Sequence, residues 1–91
     1  DGYRALAVEV VRIACRDYRR KLRKLHRHPH DLEAQREVAK IERFFREDAD
    51  WYTDLDGKTI MRKIRESVNR EVRQKAESEG IVVGQREAKQ V

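Results

Sequence analysis

Val8, Val11, Cys15, Tyr18, Leu22 and Leu25 recur at steps of three, four, three, four and three, the spacing that keeps one face of an α-helix apolar for about five turns. This is the longest seam in the chain. Leu6, Val10, Ile13 and Ala14 widen it in the first half only, so that half is expected to meet two neighbouring elements while the second half offers one narrow stripe. The remaining faces are basic. Residues 12–27 hold eight Arg or Lys (Arg12, Arg16, Arg19, Arg20, Lys21, Arg23, Lys24, Arg27) against a single acid, Asp17. One helix thus supplies both the longest core contact and the strongest positive field.

Pro29, within His26-Arg27-His28-Pro29-His30-Asp31, ends this helix, because it disfavours helix at His28 and donates no backbone hydrogen. Asp31 then suits an N-cap, and so short a connection sets the first two helices antiparallel. Ala34, Val38, Ile41 and Phe45, with Phe44 beside them, give the second helix its core face. From Glu47 to Tyr52 the period blurs, and the helix frays, bends or persists there. Leu55-Asp56-Gly57-Lys58-Thr59-Ile60 reads as the start of a third helix, with Asp56 as N-cap and Leu55 and Ile60 as a hydrophobic staple. Its apolar row is Ile60, Met61, Ile64, Val68 and Val72, and it runs to about Glu79, with Gly80 as the terminating residue. The expected architecture is an all-α, three-helix domain over residues 1–80, an antiparallel hairpin plus a third helix, followed by a flexible tail over 81–91.

A chain of 91 residues with 43% charged side chains has little to bury, so association is expected. At least a homodimer is anticipated, with core and oligomer contacts from Tyr18, Leu22, Leu25, Phe44, Phe45 and Trp51. One cysteine on an apolar stripe reads as a packed, reduced thiol in a cytoplasmic protein. No apolar run approaches the length of a membrane span.

No catalytic pattern stands out, and an enzyme is not expected. His26, His28 and His30 straddle a proline turn and lack the spacing of zinc ligands. Aligning Gly57 with the turn glycine of a calcium loop puts Tyr52 and Lys63 where two essential oxygen ligands belong. No metal or other cofactor is therefore expected. What remains is charge, arranged as +6 over residues 1–30, −5 over 31–56 and +4 over 57–91. The candidate binding residues are the strip Arg12, Arg16, Arg19, Arg20, Arg23, Lys24 and Arg27, with Arg62, Lys63 and Arg65 as a second basic face. Neither is interleaved with aromatics, so stacking on single-stranded bases is not indicated.

Ile41-Glu42-Arg43-Phe44-Phe45-Arg46 and the stretch from Trp51-Tyr52-Thr53-Asp54-Leu55-Asp56-Gly57 to Ile64 resemble small helical proteins of prophages and mobile elements in Firmicutes. Asp17-Tyr18-Arg19-Arg20 and Arg27-His28-Pro29 extend the likeness; Asp48 to Asp50 depart from it, and it stops at Val72. The resemblance implies a phage protein that acts by binding in the host bacterial cytoplasm. Its expected target is a host protein or nucleoprotein complex, which it inhibits in the manner of an anti-CRISPR, by binding or mimicking nucleic acid. The alternative is a transcriptional or packaging regulator on duplex DNA, with Lys58, Arg62 and Arg65 entering the major groove after a tight turn.

Overall fold

A computed structural model describes residues 2–78. They form three packed helices and no strand: α1 (Gly2–Arg27), α2 (Leu32–Arg43) and α3 (Gly57–Ser78), with a π-helical turn at Phe44–Asp48 and a 3-10 turn at Ala49–Trp51 between the last two. The expected third-helix end at Glu79 and Gly80 and the tail at 81–91 lie outside the described residues.

The turn after α1 is built as the sequence indicates. The Asp31 carboxylate accepts from the Ala34 N–H at 3.1 Å, capping α2, and its other oxygen lies 3.6 Å from Lys24 Nζ in the last turn of α1. Lys24 faces Asp31 while Tyr18 reaches Glu42 at 2.7 Å, so α1 and α2 run antiparallel. Against α3 the sense is reversed. Arg19 meets Ser67 and Arg23 meets Glu71, both partners advancing by four, so α1 and α3 run parallel and in register.

The core lies where the three helices meet, around Tyr18, Val38, Phe45, Ala49, Ile64 and Val68, with Leu22, Leu25, Ile41 and Phe44 packed against it. A fully buried large apolar side chain contributes about 1.5–3 kcal/mol, and only Tyr18, Phe45 and Val68 among the larger ones described are sealed off completely. The blurred period after Glu47 resolves into the π turn, closed by the Ala49 N–H donating to the Phe44 carbonyl. Its wider winding seats two adjacent rings. Phe45 packs on Tyr18 and Phe44, and Phe44 also packs on Tyr52, with centroids 5.5–5.8 Å apart.

Two expectations change here. The first half of α1 does not gain two covering neighbours: Leu6 is 67% exposed, Val8 60%, and Val10 and Ile13 37% each. An apolar period marks which side of a helix avoids water, but not whether another element reaches it. Trp51 is 77% exposed and so lies outside the core of the single chain, where an oligomer contact would also stand, whereas Tyr18 is wholly buried inside that chain. Leu55 is 65% exposed, so the staple with Ile60 covers little of it. The cap itself is made: the Asp56 carboxylate accepts from the backbone N–H groups of Lys58 and Thr59, and also from the Thr59 hydroxyl at 2.7 Å.

Hydrogen bonds hold several carboxylates below their ordinary values: the Thr59 hydroxyl on Asp56, the Ala34 N–H on Asp31, the Arg23 guanidinium on Glu71 and the Arg12 guanidinium on Glu9. Because the folded values are depressed, the stability they supply is present above the unfolded values of 3.8 and 4.5 and is lost as the pH falls through the folded ones. Thermal unfolding followed by circular dichroism should show a melting temperature that declines from about pH 5 to about pH 2. Asp31→Asn should flatten that decline.

Candidate functional site

On α1 the residues Arg12, Arg16, Arg19, Arg23 and Arg27 recur at steps of four, three, four and four. They form one ladder about 22 Å long, with Arg20 on its flank. Its inner edge is pinned to α3. Arg23 makes a paired contact with Glu71 at 2.6 and 3.1 Å, and Arg19 donates to the Ser67 hydroxyl at 3.5 Å. These contacts fix which side of α3 adjoins the ladder. Lys63, one turn before Ser67, and Arg70, one residue before Glu71, extend the basic surface across the helix boundary.

The three residues expected as a second basic face therefore separate. Successive residues of a helix are turned by about 100°, and Lys63 goes with the α1 ladder. Arg65 lies on the other side of α3, beside Leu22, Leu25, His26 and Asn69, where His26 Nε2 is 3.0 Å from Asn69 Oδ1. Lys58, Arg62, Arg65, Asn69 and Arg73, spaced four, three, four and four, make the real second row. That spacing is present in the sequence, where the tighter cluster of Arg62, Lys63 and Arg65 obscures it.

Much of the α1 field is met by acids within the chain. Arg12 pairs with Glu9, Arg16 and Arg20 share Asp17, Arg23 takes Glu71 and Lys24 takes Asp31, so five of the eight basic residues between 12 and 27 have an acidic partner. These pairs are exposed, and water and salt keep such pairs weak. They lower the field without locking the arginines. Counting Arg12, Arg16, Arg19, Arg20, Arg23, Arg27, Lys63 and Arg70 against Glu9, Asp17 and Glu71, the face retains a net charge of +5.

At the other end of α1, residues 50–54 lie over Arg4, Ala7 and Val8 and enclose a groove of about 470 Å³ whose wall includes Trp51 and Tyr52. Asp50 and Asp54 line it, with Asp48 and Asp56 exposed close by in the chain. An apolar, acidic end thus opposes a basic flank. No family model, curated protein or solved structure matches this chain.

Burial raises the Cys15 thiol above its ordinary value, with Arg19 opposing, so Cys15 lacks the thiolate character of a nucleophile. Among the described residues no three His, Cys, Asp or Glu side chains are grouped to hold a metal ion. No described helix is long and apolar enough to cross a membrane. The backbone stays helical from Leu32 through the π and 3-10 turns to Trp51, so residues 52–56 alone connect it to α3.

Proposed function

We propose that this chain is a non-enzymatic binding protein that inhibits a nucleic-acid-processing or defence complex of a bacterial host, as an anti-CRISPR does, from within the host cytoplasm. The observation that carries the reading is the arginine ladder of α1, extended by Lys63 and Arg70, which keeps a net positive charge after its internal pairs are counted. Phosphate-bearing or acidic surfaces of a nucleoprotein complex complement such a face. The exposed Trp51, Tyr52 and Leu55 favour a target that includes protein, because aromatic side chains anchor protein interfaces. The resemblance to prophage proteins adds the setting.

Direct binding to duplex DNA is the second reading, favoured by the regular spacing of the ladder. It would use the α1 ladder, or Lys58, Arg62 and Arg65 of α3 behind the turn at residues 52–56. The two separate on salt and on nuclease. If four ladder arginines met phosphates, duplex affinity would fall about a hundredfold between about 50 and 200 mM salt, at roughly 0.9 counterions per contact. The expected result is weak duplex binding, together with capture of a specific protein from nuclease-treated lysate that Arg16→Glu combined with Arg27→Glu abolishes. Tight duplex binding with that salt slope, and no protein retained after nuclease, would replace the first reading with the second.

A further inference from the structure

We infer that the groove at the N-terminal end of α1 seats an arginine or lysine side chain of the target's protein component, an assignment that rests on the proposed function in giving the target a protein part. Residues 50–54 and the side of α1 bearing Arg4, Ala7 and Val8 enclose about 470 Å³, within the range of about 300–1,000 Å³ found for clefts that hold ligands. Its walls are apolar where they are most open. Trp51 is 77% exposed and Val8 60%, so a large ring and an aliphatic side chain both stand in water on one concave surface. A ring placed in this way is an anchor for a partner.

Charge selects the occupant. Asp50 and Asp54 line the groove against Arg4, one negative charge in excess, and residues 47–57 contain Glu47, Asp48, Asp50, Asp54 and Asp56 with no basic residue among them. Glu47 is met by Arg43, and Asp56 caps α3. Among the described residues, no ion pair uses Asp48, Asp50 or Asp54. A purely apolar segment would leave these carboxylates unanswered, and an acidic one would be repelled. An arginine or lysine suits both parts of the groove. Its aliphatic stem lies along Val8, the Trp51 ring attracts the cation, and the charged head meets Asp50 and Asp54. The same target can then engage the ladder. A protein surface that holds nucleic acid is basic because it neutralises phosphates, so arginines for the phosphates and an acidic groove for the adjoining basic side chains complement one nucleoprotein surface.

Trp51 is the single tryptophan of the chain, so its fluorescence reports on the groove directly. Titrating the full chain with a capped peptide of alternating arginine and glycine, at about 50 mM salt to limit screening, should change the Trp51 emission saturably. The same peptide with glutamate in place of arginine should not. Asp50→Asn combined with Asp54→Asn, both at exposed positions, should weaken the arginine peptide about fivefold through the loss of two exposed charge pairs, with circular dichroism unchanged. Arg16→Glu combined with Arg27→Glu, expected to abolish capture from lysate, should not weaken it, so a failed ladder and a failed groove give different results. No saturable response to the arginine peptide, an equal response to the glutamate peptide, or indifference to the double asparagine change would each overturn the proposal. So would a Trp51 emission that shifts with protein concentration in the absence of peptide, which would mark a second copy as the occupant.

Discussion

Gly57→Ala should lower the unfolding free energy by about 3 kcal/mol, the upper part of the range for forcing a methyl into a packed site. In a domain this small that corresponds to a fall of roughly 12–24 °C in melting temperature. Helix propensity predicts the opposite sign, since alanine in a helix is favoured over glycine by about 0.5–1 kcal/mol. Geometry decides against it. A Cβ on Gly57 would stand 2.0 Å from the Phe45 carbonyl oxygen and 3.0 Å from the Ala49 Cβ. Neither neighbour has room to give, because the oxygen belongs to the backbone of the π turn and the Phe45 and Ala49 side chains are 2% and 0% exposed. The first turn of α3 would have to retreat, loosening Ile64 and Val68 from the core. Gly2, where an added Cβ would meet nothing within 4 Å, is the control, and Gly2→Ala should leave the melting temperature unchanged or slightly raised. A Gly57→Ala variant as stable as the wild type would mean that α3 shifts on the π turn at little cost.

That close approach illustrates where the sequence stops being legible. Pro29 and Asp31 announce the turn because their chemistry is local: one lacks an N–H, and the other accepts from an amide three residues on. The phase of the seam at Tyr18, Leu22 and Leu25 is likewise written in its spacing. Gly57 carries no such mark, since its reason for being glycine is a carbonyl at Phe45, on a separate element. The ion pair between Arg23 and Glu71 spans 48 residues, and only the parallel register of α1 and α3 reveals it. The sequence therefore displays the ladder in full but hides how much of its charge is met by acids. The exposed half of α1 is the converse case. Its apolar pattern is as strong as that of the buried half, and only the placement of the other elements shows that Leu6, Val10 and Ile13 stay exposed while residues 50–54 lie over Arg4, Ala7 and Val8.

Tyr18→Ala should cost about 3–5 kcal/mol, as removal of a buried aromatic ring generally does, whereas Tyr18→Phe should cost about 1.5 kcal/mol, near the lower end for a hydrogen bond to a charged group. The gap between the variants separates the two tasks of this side chain. Its ring is wholly buried against Phe45, with centroids 5.6 Å apart, and its hydroxyl donates to a half-buried Glu42 at 2.7 Å. Alanine leaves a cavity and a carboxylate without its donor; phenylalanine leaves only the second. Burial first, and then the bond to Glu42, raise the phenol above its ordinary value of 10.0. A raised folded value means that the stability from this group is complete below the unfolded value and drains away as the pH climbs toward the folded one. Urea denaturation of the wild type should therefore show a loss above about pH 10 that Tyr18→Phe reduces. If the two curves stayed parallel into alkali, the hydroxyl would not be the group that ties α1 to α2, and the antiparallel pairing would rest on ring packing alone.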